Sequence, residues 1–151
     1  MPDMPDLQRG SVLGFDFGLA RLGVSVGDLE LRMAHPLVTI EEESTTLRFA
    51  RISELVAEWR PVLAVIGMPA HDDGRPHEMA AACRKFGNRL RGRFDLPVVW
   101  MDERYSSVAA STELNESGLR GRRQKPVLDQ VAARLILQHY FDEPEYAHEL
   151  A

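Results

Sequence analysis

Val12-Leu13-Gly14-Phe15-Asp16-Phe17, bounded by Gly10 and Gly18, is the stretch on which the fold turns. A short apolar run between glycines reads as a buried strand. Its one charged member, Asp16, sits where an isolated carboxylate is costly unless it meets a cation or a set of donors. Apolar character resumes over Leu22 to Val26 after the break Gly18 to Arg21, so the second strand is expected to return as a hairpin beside the first. Ala34 to Ile40 supplies a third strand, with Pro36 tolerable near its start or at an edge.

Downstream the period changes. Phe49, Ile52, Leu55, Val56 and Trp59 follow one face of a helix that Ser44 or Thr45 can cap and that Pro61 follows. Val62 to Ile66 is unbroken apolar sequence, a fourth strand expected to be buried on both faces. The loop from Gly67 to Gly74 leads to a second helix with Met79, Cys83, Phe86 and Leu90 on one face, which makes Cys83 a core contact. Leu96 to Met101 is a fifth strand, ending at Asp102-Glu103-Arg104. A short helix from Val108 to Glu116 and a glycine-containing basic loop from Gly118 to Gln124 precede a last helix. That helix starts near Pro126, runs to about Phe141 and carries an apolar arc through Leu128, Val131, Ala132, Leu135 and Ile136. The order predicts an α/β domain: a mixed five-stranded sheet, three antiparallel strands then two parallel, with helices on both faces. The 151 residues read as one domain, 1–151. Its ordered core is expected at about 11–142, with 1–10 and 143–151 as loosely held termini.

Composition narrows the function. Hydrophobic residues at 44% and charged residues at 27% exclude a largely disordered chain. No apolar run is longer than that from Val62 to Ile66, which falls far short of the roughly 20 residues of a membrane span, so no membrane association is expected. Acids and prolines over Met1 to Asp6 do not resemble a signal peptide, and the single Cys83 cannot form an intrachain disulfide, so a cytoplasmic protein is expected. His35, His71, His77, His139 and His148 include no pair at helical ligand spacing, which argues against zinc. The net charge of −5 opposes nucleic-acid binding by overall electrostatics, but charge is patchy. Arg84, Lys85, Arg89, Arg91 and Arg93 form one basic segment, and Arg120, Arg122, Arg123 and Lys125 another.

Three carboxylates stand out: Asp16 at the end of a buried strand, Glu103 just past the fifth strand, and Asp129 on the last helix, on a face with Ala133, Ile136 and Tyr140. Each has a plain structural alternative. Asp16 can cap the hairpin turn, Glu103 can pair with Arg104, and Asp129 can favour the helix dipole. In an open α/β sheet, sites form beyond the carboxyl ends of the strands, where the ends of strands one and five can be neighbours and the last helix can bring Asp129 to the same point. Three converging carboxylates suit hard oxygen ligation of Mg²⁺ or Mn²⁺, which offsets their repulsion and serves phosphodiester cleavage.

At these residues the sequence resembles the YqgF (RuvX) family, Holliday-junction-resolvase-like proteins and pre-16S rRNA nucleases with an RNase H-like fold. Gly14-Phe15-Asp16-Phe17-Gly18 with Arg21-Leu22-Gly23 resembles the family's first strand and hairpin, and Val65-Ile66-Gly67-Met68-Pro69 with Asp73-Gly74 its central loop. Arg84 to Leu90 resembles its second helix, Pro97-Val98-Val99 with Asp102-Glu103-Arg104 its third acidic motif, and Asp129-Gln130-Val131-Ala132-Ala133 its last helix. The resemblance implies Asp16, Glu103 and Asp129 as catalytic, metal-binding carboxylates, with Arg21 and Arg104 contacting phosphate or orienting the acids. Pro126 stands where a fourth acid is familiar in resolvases of the wider superfamily. The loop carrying Arg120, Arg122, Arg123 and Lys125 then takes a role in holding phosphates that flank the cut.

The function so implied is a metal-dependent nuclease acting on structured RNA, the 5′ leader of pre-16S rRNA being the preferred substrate, with ribosomal precursor particles as partners and a monomer or homodimer as the working form. Two alternatives stand beside it: a Holliday junction resolvase acting on branched DNA, and a non-catalytic nucleic-acid or ribosome-associated module. An ATP-binding protein of the actin and sugar-kinase type would need a second such domain, and the chain carries no Walker A loop.

Overall fold

A computed structural model describes residues 9–68, 78–102 and 124–150. Strands β1 (Ser11–Phe17), β2 (Leu22–Asp28) and β3 (Met33–Ile40) are followed by helix α1 (Thr45–Trp59) and strand β4 (Leu63–Met68). Helix α2 (Glu78–Phe94), strand β5 (Val98–Asp102), helix α3 (Gln124–Asp142), a single 3-10 turn (Pro144–Tyr146) and strand β6 (His148–Glu149) complete the described elements. They form one mixed sheet in the order β3-β2-β1-β4-β5-β6. β1, β2 and β3 pair antiparallel, and β1, β4 and β5 run parallel.

The sheet is sorted by the two-residue period of its strands. Leu13 and Phe15 of β1 join Ile52 and Leu55 of α1 and Cys83, Phe86 and Leu90 of α2 in one core. Val12 joins Val65, Val99 and Met101 with Ile136, Leu137 and Tyr140 of α3 in the other. Helices therefore cover both faces, and Cys83 is buried as the helical period predicts. The Ser44 side chain accepts a hydrogen bond from the Leu47 N–H at the start of α1. Before Pro61 the chain turns out of the helix, with Arg60 in the left-handed region (φ 46°) and its N–H donating to the Val56 carbonyl.

Four expectations are corrected. Among the described residues the sheet has six strands, because β6 pairs antiparallel with β5 through Trp100 and His148. The segment after residue 143 is packed rather than loose: Leu150 is buried against Gly87, the Arg91 guanidinium donates to its carbonyl at 2.6 Å, and His148 stacks on Trp100 at 4.1 Å. Met79 is exposed, and Ala80 takes the buried place at that turn of α2. In α3, Leu128 and Leu135 are half-buried, and the deeply buried arc passes through Ala133 and Leu137, whose neighbour across the interface is Gly14. The helix expected at 108–116 lies outside the described residues.

Candidate nuclease site

Strand alternation puts Asp16 on the α3 face of β1, in line with Val12 and Gly14. Its cross-strand partner is Gly23 of β2. A Cβ on Gly23 would collide with the Asp129 carbonyl and lie 3.1 Å from the Asp129 Cβ. Missing side-chain bulk at position 23 is what lets α3 descend onto the strands. Cross-strand Cβ positions are about 5 Å apart, so Asp16 and Asp129 are brought within about 8 Å of each other at Cβ, within joint reach of one small cation. One turn further along, the buried Ser25 hydroxyl donates to the Ala133 carbonyl at 2.7 Å and ties α3 to β2.

Arg21, at the end of the β1–β2 turn, closes the group. Its Nε donates to Asp129 Oδ2 at 2.6 Å. The Asp129 side chain is only 17% exposed, whereas that of Arg21, at 36%, stays open to water, so the bridge is shielded on its carboxylate side alone. The hydrogen bond and charge of Asp129 raise the Arg21 pKa against the opposing effect of burial, with Glu41 and Asp16 adding lesser contributions in the same upward direction. Arg21 thus feels the field of both site carboxylates.

The topology refines the expected meeting of strand ends. β4 lies between β1 and β5, so these two strands are not neighbours, although their carboxyl ends lie along the same edge of the sheet. Glu103 and Arg104 follow the last residue of β5 and lie outside the described residues, as do Arg120, Arg122 and Arg123. Lys125 falls in the first turn of α3, with its side chain outside the description. Of the predicted site residues, the described structure therefore brings together Asp16, Arg21 and Asp129.

Among the described residues no group of three His, Cys, Asp or Glu side chains is placed to hold a metal ion. The pair Asp16 and Asp129 nevertheless fits a hard divalent cation in kind. Mg²⁺ is commonly held by one or two carboxylates with waters and substrate phosphate supplying the rest. Arg21 engages one oxygen of Asp129, and a carboxylate has about four lone-pair sites to offer.

The basic segment from Arg84 to Arg93 divides once it is folded into α2. Arg91 bonds to the Leu150 carbonyl and to Asn88, and Arg93 lies over the Phe49 ring at 4.5 Å, so these two serve packing. One cation escaped the sequence reading: Arg48 is buried, donating to the carbonyls of Glu42 and Leu19 at 3.0 Å each. A signal for it existed, because positions 48, 52, 55 and 59 share a helical face.

A β1–β2 hairpin followed by parallel strands, helices on both faces, and acids at the end of β1 and on the last helix define an RNase H-like α/β domain. A fold match agrees: "T. thermophilus RuvC in complex with Holliday junction substrate" superposes with a TM-score of 0.58 at 17% identity, over 94% of this chain and 99% of that one. A fowlpox virus resolvase, solved with Holliday junction DNA, gives 0.53 at 10% identity over 89% and 98%. The chain belongs to the RuvX family, whose model, described as "Holliday junction resolvase", matches residues 10–143. A protein of Nitrosomonas europaea named "Putative pre-16S rRNA nuclease" is 53% identical over 94% of this chain and 96% of its own length. One of the same name from Methylobacillus flagellatus is 54% identical over 94% and 97%.

Proposed function

We propose that this protein is a metal-dependent nuclease that hydrolyses phosphodiester bonds in pre-16S rRNA, trimming the 5′ leader. The observation that carries the reading is the delivery of Asp16 and Asp129 to one end of the sheet by Gly23, in a chain whose relatives are named for that substrate. Asp16 and Asp129, with Glu103 as the third carboxylate, would hold Mg²⁺ or Mn²⁺. Such an ion, when bound, supplies Lewis acidity to the scissile phosphate and offsets carboxylate repulsion. Arg21 holds the Asp129 carboxylate in place and keeps positive charge beside it.

Arg104, Arg120, Arg122, Arg123 and Lys125 would contact phosphates flanking the cut, fixing position rather than sequence. The whole chain, 1–151, acts as a single domain. No helix among the described residues is long and apolar enough to cross a membrane. A substrate carried on ribosomal precursor particles supports a cytoplasmic reaction.

The test is cleavage of a labelled pre-16S leader and, separately, of a four-way DNA junction, each with Mn²⁺, Mg²⁺ or EDTA. Cutting of the leader with metal, abolished by EDTA and by Asp16→Asn, is the expected result. Preferential cutting of the junction would reassign the substrate to branched DNA. Binding without cutting, under every metal condition, would make the chain a nucleic-acid-binding module.

A further inference from the structure

On the opposite face of the sheet, next to the same end of β1, lies a cavity of about 210 Å³ between α1, α2 and the β1–β2 turn. Its apolar wall is aromatic: Phe17 and Phe49 flank Phe86 with ring centroids 5.0 and 5.7 Å from it. Arg48, Lys85 and Arg89 supply positive charge, and Glu43 is the acid among the lining residues. The charge balance selects an anion. The volume lies below the roughly 300 to 1,000 Å³ typical of small-molecule pockets, which suits a phosphate group better than a whole nucleotide.

Arg48 makes this a built site rather than a basic surface. Its residue exposure is 5%, its guanidinium lies 5.5 Å from the Phe17 ring centroid, and among the described residues no carboxylate forms a salt bridge with it. Two carbonyls engage two of the guanidinium's five N–H donors. Burial lowers its pKa, with Glu43 opposing that effect, so the cavity holds a cation away from bulk water. Lys85 and Arg89 stand one helical turn apart on α2, where their side chains can meet one ligand. The bond from Arg48 to the Leu19 carbonyl also ties this cavity to the turn that carries Arg21.

We infer that this cavity is a second phosphate-binding site, taking a backbone phosphate of the nucleic-acid strand whose scissile bond lies at Asp16 and Asp129. The inference rests on the proposed nuclease reading for the source of that phosphate, since inorganic phosphate shares its chemistry. The strand passes over the β1–β2 turn, with the cut on one side of the sheet and Arg48, Lys85 and Arg89 on the other.

Two measurements on the full chain in EDTA separate the cases. In the first, affinity for the labelled leader is measured against salt for the wild type, for Lys85→Ala with Arg89→Ala, and for a charge-matched control, Arg9→Ala with Arg51→Ala, at two exposed surface pairs. The pocket variant is expected to bind about tenfold more weakly. Its slope of log affinity against log salt should be shallower by about 1, with an unchanged melting temperature, while the control moves much less. In the second, inorganic phosphate is titrated into labelled protein, and the amide signals of Thr45 to Phe49 should shift in the wild type and not in the pocket variant. Equal leader affinity and slope in pocket and control variants, with phosphate still shifting those amides, would overturn the strand assignment and leave a free-phosphate site. No amide shift and no difference in leader binding would overturn the pocket while leaving the nuclease reading intact. Failure of the wild type to bind the leader in EDTA, and to cut it once Mn²⁺ or Mg²⁺ is supplied, would count against the nuclease reading, and the phosphate titration would still decide the cavity.

Discussion

The two faces of the central sheet are built by opposite means. Toward α1 and α2 the strands present bulk, with Leu13, Phe15, Leu22 and Ile66 filling the space between layers. Toward α3, β4 and β5 still present Val65, Val99 and Met101, but β1 and β2 present absence: Gly14, Gly23 and Gly27 lie where any Cβ would strike α3 or its side chains. The first face gains stability from buried area and dispersion. The second gives up part of that gain to bring a helix backbone against a strand, and Asp16 and Asp129, the acids of the proposed site, lie there. Volume sets how firmly this protein folds, whereas the glycines set where Asp129 stands relative to Asp16.

The largest effect that would sharpen this contrast belongs to the bulky face. Leu90 is fully buried in the α2 core, and Leu90→Ala is expected to cost about 3 to 4 kcal/mol by lost transfer energy and a residual cavity. Denaturant unfolding should show that loss, while cleavage per folded molecule, assayed at low temperature, stays near the wild-type value. A matching loss of specific activity would break the separation of the faces.

Gly23→Ala probes the other face and is expected to be somewhat smaller in stability, about 2 to 3 kcal/mol, because one methyl group overpacks a tight contact. The obstructing atoms are the Asp129 carbonyl and its carbon, backbone that cannot rotate away, so α3 must shift as a body. Metal-supported cleavage should therefore fall far more than the folded fraction does. Unfolding curves and cleavage rates measured on the same preparation decide it. Loss of activity in simple proportion to unfolding would mean that the approach at Gly23 serves packing alone.

Legibility in the sequence follows the same division. The apolar run around Asp16, the hairpin break at Gly18 to Arg21 and the period of α1 are local patterns, and local patterns are what a sequence displays directly. Asp129 could be placed on a face with Ala133, Ile136 and Tyr140, because a helix repeats on its own terms. That Gly23 is the cushion for Asp129 could not be read, since the reason lies 106 residues away in sequence and in the absence of a side chain rather than its presence. β6 was illegible for another reason. Two residues carry no period, and Leu150 is the one large aliphatic residue in an acidic tail, so its burial is decided by the space over Gly87. Arg48 shows the limit of composition: a charge on a helical apolar face is buried because the carbonyls of Leu19 and Glu42 happen to converge on it.

The smallest of these effects distinguishes contact from placement on the α3 face itself. Ser25 is fully buried, and its hydroxyl donates to the Ala133 carbonyl. Ser25→Ala removes the donor, and Ala133, inside α3, keeps its place in the helical hydrogen-bond ladder, so the loss should be close to the net worth of one hydrogen bond, about 1 kcal/mol. If sterics at Gly23 already fix the depth of α3, that bond adds stability without setting position, and cleavage should stay within about twofold of wild type at saturating metal, a change worth about 0.4 kcal/mol in barrier height. A large fall in cleavage with only this small loss of stability would transfer the positioning role from the glycine to the serine, because a helix free to slide along β2 would carry Asp129 away from Asp16 while the core beneath it stayed intact.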